Sequence, residues 1–84
     1  MNKKIQAKHI KALQALFPNS FIKPSQDFYG HSEEQSLGIW TGFAEDGTFD
    51  YWMNYVDPKL QSYIDSNDLF LEPHDAGTLM IWEG

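Results

Sequence analysis

The chain has no cysteine and no arginine, and only six of its 84 residues are basic. Without cysteine no disulfide can staple so short a domain, and no thiolate can act as nucleophile or metal ligand. The same absence fits a reducing compartment, and the expected location is cytoplasmic. No stretch approaches the ~20 apolar residues of a membrane span. The opening MNKKIQAKHIKALQALF is interrupted too often by polar residues to be the apolar core of a signal peptide. No membrane partner is therefore expected. Internal repeats and low-complexity tracts are also absent.

Motifs that carry chemistry are missing too. No GxSxG elbow surrounds any serine, and no GxxxxGK[ST] or GxGxxG loop cradles a phosphate. There is no HExxH, no EF-hand loop and no cysteine pair. Glu33 and Glu34 are adjacent carboxylates in a polar stretch. A catalytic carboxylic acid needs burial to raise its pKa, and nothing in that stretch provides it. The expectation is a non-enzyme with no cofactor and no bound metal.

What the chain does have is charge sorted by position. Residues 1–26 carry Lys3, Lys4, Lys8, Lys11 and Lys23 and no acid; residues 27–84 carry twelve acids against Lys59 alone. The first part has a charge of +5 and the second of −11, for a net −6. An acidic body of this kind attracts cationic partners and repels nucleic acid. Thirteen residues are Phe, Tyr or Trp. Each such ring buries roughly 150–250 Å², which offers a small domain dense packing, or rings to spare for an interface.

The pattern predicts one α+β domain, residues 1–84. Its expected architecture is an antiparallel sheet of four or five strands, including two β-hairpins, with two helices packed on one face. Residues 4–17 read as a helix. Ile5, His9, Ile10, Leu13, Leu16 and Phe17 share its broad apolar face, and Lys4, Lys8 and Lys11 line the opposite side. Pro18 and Asn19 stop it. Phe21 and Ile22 suggest a short strand, and 24–36 a polar loop.

Residues 37–55 read as a hairpin around Glu45-Asp46-Gly47, with Gly47 left-handed. This register pairs Phe43 with Phe49, Thr41 with Tyr51, Ile39 with Met53 and Leu37 with Tyr55. It gathers Phe43, Phe49, Ile39, Met53 and Tyr51 into the core and sets Trp40 beside Trp52 on the opposite face. Asp57-Pro58 starts a second helix running to about Ser66, with Asn67 as a left-handed cap. A second hairpin around Asp75-Ala76-Gly77 pairs Leu71 with Ile81 and Phe70 with Trp82.

Two groups of residues could form a site. The first is an acidic and aromatic interface of Trp40, Asp46, Asp50, Trp52, Glu72 and Asp75, a composition suited to docking a basic protein. On a bland reading, Trp40 and Trp52 are only a stabilising cross-strand pair, or together cover a second small core beneath 24–36, which brings Phe28 and Tyr29. The second group is His31 with Glu33 and His74 with Asp75. These two loops could converge on a divalent ion or a small ligand. The Lys4, Lys8 and Lys11 stripe has three charges and no arginine, too few for strong binding to phosphates, so no direct nucleic-acid partner is expected.

In size, acidity and lack of catalytic motifs the chain resembles the small inhibitors encoded by bacteriophages and mobile elements, including anti-CRISPR and other anti-defence proteins. That resemblance implies a basic or nucleic-acid-binding protein as partner, and it carries over no site residues. A homodimer formed through the sheet is a further reading.

Overall fold

The computed structural model of the protein describes residues 1–29 and 37–84. Helix α1 (Lys3–Leu16) begins where Asn2 accepts the Ile5 N–H at 2.8 Å. This side-chain cap satisfies one of the first-turn donors. The helix closes with the Phe17 N–H on the Leu13 carbonyl, just before Pro18. Its inward face holds Gln6, His9 and Leu13, with Phe17 beyond its end. Ile5 and Leu16, expected on the apolar face, are exposed. Gln6 takes an inward place because its amide finds partners, the Gly38 carbonyl at 2.6 Å and the Gln26 side chain at 2.8 Å. A buried polar group is tolerated when it is hydrogen-bonded in this way.

The remaining elements follow in order: β1 (Ile22–Pro24), α2 (Ser25–Tyr29), β2 (Ile39–Thr41), α3 (Phe43–Asp46), β3 (Phe49–Asp50), β4 (Tyr55–Val56), α4 (Pro58–Ser66), β5 (Leu69–Asp75) and β6 (Thr78–Glu83). The main sheet is antiparallel with strand order β1-β2-β6-β5, and β3 and β4 form a separate two-stranded ribbon. The fold is therefore α+β, as the sequence predicts. Among the described residues no helix is long and apolar enough to cross a membrane.

The second hairpin has the expected register, Leu71 opposite Ile81 and Phe70 opposite Trp82. Its tip is tighter than expected. Asp75 pairs with Thr78, leaving a two-residue turn, and the register shifts between Pro73 and Asp75. A bulge at His74 takes up the extra residue. Helix α4 also starts as expected: the Asp57 carboxylate accepts the Lys59 N–H at 2.8 Å, and Pro58 fills the first turn. Its end differs. Asn67 has φ −116° and donates its side-chain amide to the Tyr63 carbonyl, while the left-handed residue is Asp68, φ 56°.

The first hairpin does not form. β2 lies between β1 and β6, with Ile39 opposite Ile81, Trp40 opposite Met80 and Thr41 opposite Leu79. The chain then turns through α3, which ends on Gly47 at φ 91°. Gly47 is left-handed as expected, but as a helix end rather than a hairpin bulge. β3 pairs with β4, Phe49 opposite Val56 and Asp50 opposite Tyr55. A central strand is flanked on both edges and buries its inward side chains completely; Ile39 and Thr41 reach 0% exposure. The Thr41 hydroxyl donates to the Leu79 carbonyl at 2.8 Å, so its burial leaves no donor unsatisfied.

One face of the sheet carries the main core. Leu13 and Phe17 from the α1 side, Phe43 from α3, and Leu60 and Ile64 from α4 pack with Ile22, Ile39, Leu69, Leu79 and Ile81. Phe49 joins them from β3. Both long helices thus lie on one face, as expected. The other face is covered by aromatic rings. Phe28 of α2 stands edge-on to Trp40 at 5.1 Å, Phe21 at 4.9 Å, and Met80 beside them in the sheet is fully buried. Trp40 therefore sits in a second small core.

Gly38 ties three elements together: its carbonyl takes Gln6 and the Ser25 N–H, and its own N–H goes to the Ser25 hydroxyl. A Cβ there would stand 2.7 Å from the Ile81 carbonyl. Gly38→Ala should cost about 1–3 kcal/mol of overpacking, read as a lower urea midpoint with unchanged slope.

His9 bonds Tyr63 across the α1–α4 seam at 2.6 Å. Burial, with Lys8 beside it, lowers the His9 pKa below the ordinary 6.5, against an opposing pull from Glu83. The unfolded chain therefore binds this proton more readily than the folded one. Stability is unaffected by His9 above the ordinary value and falls as pH drops below it. Denaturation between about pH 7.5 and about pH 5.5 should show this loss, and His9→Gln should flatten it. An unchanged slope in His9→Gln would assign the loss to other groups.

Candidate protein-binding site

The β3–β4 ribbon is short, and its loop is fixed by hydrogen bonds. Asp50 accepts the Met53 N–H at 3.1 Å, Asn54 donates its N–H to the Tyr51 carbonyl at 3.3 Å, and Asn54 itself is left-handed at φ 53°. Below the loop the Asp57 N–H bonds the Thr48 carbonyl at 2.8 Å, and Phe49 is anchored in the core. The result is a hydrogen-bonded platform that displays Tyr51, Trp52 and Met53 at 64%, 85% and 75% exposure. The Tyr51 and Trp52 rings stand edge to face, 5.7 Å apart at 84°.

Beside this platform runs a cleft of about 690 Å³. Ala44, Asp50, Tyr51 and Trp52 line it together with residues 73–76 of the β5–β6 tip. Two carboxylates line it and no lysine does. Glu45 reaches the same tip, its Oε2 3.8 Å from where a Cβ on Gly77 would stand. The Asp75 carboxyl is held below the usual carboxylate range by the Gly77 N–H and then the Thr78 hydroxyl. The cleft is thus an anionic seam against an aromatic wall.

Of the six residues expected at an interface, the fold brings together Asp50, Trp52 and Asp75. Trp40 does not join Trp52. It lies half-buried between Phe21 and Phe28, because β2 pairs with β6 and not with residues 49–55. Its Nε1 has no hydrogen-bond partner among the described residues. Glu72 faces the same side of the sheet and accepts the Trp82 Nε1–H at 2.7 Å. Asp46 accepts from the Ser20 hydroxyl and the Thr48 N–H at the end of α3, in a separate shallow groove with Phe17 and Lys59. Tyr51 and Met53, expected in the core, are on the surface. The run Tyr51-Trp52-Met53 carried the signal, since three consecutive large side chains cannot all face one side of a strand.

His31 and Glu33 of the ligand-binding alternative lie outside the described residues. His74 packs its ring against Phe28 at 4.9 Å and Tyr29 at 6.3 Å, while Asp75 caps its own turn. Among the described residues no group of three His, Asp or Glu side chains could hold a metal ion. Lys4, Lys8 and Lys11 are exposed along α1, and the one ion pair among the described residues joins the Met1 amine to Glu83 at 3.1 Å.

The two tryptophans should behave oppositely. Trp52→Ala should change unfolding free energy by no more than about 0.5 kcal/mol, as surface changes do. Trp40→Ala should cost about 3 kcal/mol, because it removes a packed ring. Urea titration of the two variants measures both, and equal losses would mean that Trp52 is structural.

Comparison with known proteins gives no match, whether to a family model, to a curated protein or to a solved structure.

Proposed function

We propose that the protein is a non-enzymatic binding module that docks a basic protein through the Tyr51–Met53 platform and the acidic cleft beside it. The observation that carries this reading is the platform itself. Three large apolar side chains in a row are held out to solvent on a hydrogen-bonded loop that the core does not use. The largest exposed apolar patch on a monomeric protein is often its functional surface. Tryptophan and tyrosine are the anchors that interfaces favour, and a preformed loop loses little entropy on binding. The net charge of −6 and the lysine-free cleft select for a cationic partner.

A basic partner of this kind includes proteins that bind nucleic acid. An acidic surface seated on their phosphate-binding face would occlude it, which is how a small phage or mobile-element inhibitor would work in the cytoplasm. Binding of a small ligand by the His74 and Asp75 side is the alternative. The cleft volume falls within the ~300–1,000 Å³ typical of ligand sites. Trp52 is 85% exposed, however, which suits an open protein-docking surface better than a site closed around a small ligand.

The test is affinity capture from the host with the wild-type chain and with Trp52→Ala, followed by kinetics on a protein retained only by the former. Added salt should weaken the complex, because exposed charges are screened beyond ~10 Å at 0.1 M. Asp50→Asn with Asp75→Asn should slow association up to about tenfold, since long-range fields act on encounter. Trp52→Ala should speed dissociation about thirtyfold, the effect of losing a central anchor. Loss of binding on changing Lys4, Lys8 and Lys11 to Gln, with the acidic variants unaffected, would overturn the proposal.

A further inference from the structure

We infer that the cleft is the seat for one arginine side chain of the partner, its guanidinium stacked on Trp52 and hydrogen-bonded to Asp50 and Asp75. The inference rests on the protein-docking reading and names the chemistry that the docking recognises. Three observations carry it.

The first is an unfilled aromatic face. The chain already places its own cations over rings elsewhere. Lys23 lies 5.5 Å from the Phe21 ring and 5.7 Å from Trp40, and Lys59 lies 5.4 Å from Phe17. Trp52 is the most exposed ring and has no such cation among the described residues. Tryptophan is also the ring that attracts cations most strongly.

The second is that the carboxylates are oriented in advance. Asp50 is held by the Met53 N–H at 3.1 Å and Asp75 by the Gly77 N–H at 2.9 Å, each within its own turn. Both line the cleft that Trp52 lines. A guanidinium is planar, carries five donors in a fixed fork, and is weakly hydrated. It can stack on a ring while donating sideways to two acceptors, which an ammonium cannot match.

The third is what the chain itself lacks. It contains no arginine, so a second copy cannot supply the group. The occupant lies outside these 84 residues.

The probe is the peptide acetyl-Gly-Arg-Gly-amide, titrated into the full chain and followed by NMR. Its lysine and citrulline analogues serve as controls. Saturable shifts are expected at the Trp52 indole N–H and at the backbone amides of Ala44, Asp75 and Ala76. The lysine peptide should bind at least about threefold more weakly, and the neutral citrulline peptide should not saturate. Trp52→Ala should weaken the arginine peptide about threefold, and Asp50→Asn with Asp75→Asn should abolish saturation, with dispersed amide spectra showing that both variants are folded. Lysine binding as well as arginine, or linear shifts spread over the acidic surface, would overturn the inference.

A captured protein partner separates the two levels of the argument. If its binding depends on Trp52 but survives lysine replacement of each interface arginine, the arginine seat is wrong and the docking surface stands. If its binding does not depend on Trp52 at all, the docking surface itself is wrong.

Discussion

The pairing of β2 with β6 is the contact on which the rest of the molecule depends. It joins Ile39 to Ile81 and Thr41 to Leu79, a separation of 38 residues for the second pair. It puts a three-residue strand at the centre of the sheet, where both edges are satisfied. It also takes β2 away from residues 49–55, which would otherwise be its nearest partner along the chain. Those residues fold back on themselves as β3 and β4. The loop between them is pushed outward, and Tyr51, Trp52 and Met53 go with it. The candidate binding surface therefore follows from a strand pairing made on the other side of the core.

A domain of this size has little stability to spare, about 4–13 kcal/mol at ordinary per-residue values. Without disulfides it must pack both faces of its sheet. The main core uses aliphatic residues with Phe17, Phe43 and Phe49 beneath two helices; the second uses rings set edge-on to Trp40 beside Met80. Four polar residues, Gln6, His9, Ser25 and Thr41, are buried at the seams. Each has a hydrogen-bond partner, so each fixes a junction without leaving a group unsatisfied. His9 makes one junction sensitive to pH.

Against this frame the Trp52 platform stands apart. Every other tryptophan of the chain is at least half-buried and engaged: Trp40 with Phe21 and Phe28, Trp82 with Glu72. Among the described residues the Trp52 ring pairs with no aromatic ring except Tyr51. The loop beneath it carries Asp50, whose carboxylate both closes the turn and lines the cleft. One side chain therefore both closes the turn of the platform and charges the cleft beside it, which suits binding by a preformed surface.

Local chemistry was enough to read α1, α4 and the β5–β6 hairpin from the sequence. The Asn2 and Asp57 caps, Pro18, Pro58 and the turn at residues 75–77 act within a few residues of where they sit. They therefore leave a clear trace in the order of amino acids. The acidic character of the body was legible for a similar reason, since it is a matter of composition. The partner of β2 was not. Alternating apolar residues mark which face of a strand is buried, and that alternation is the same whether Ile39 meets Met53 or Ile81. Only the assembled core decides between them, because only there can β6 offer a longer apolar strand and satisfy both edges of β2. That choice separated Trp40 from Trp52, turned Tyr51 and Met53 outward, and brought Asp50 and Asp75 to one cleft.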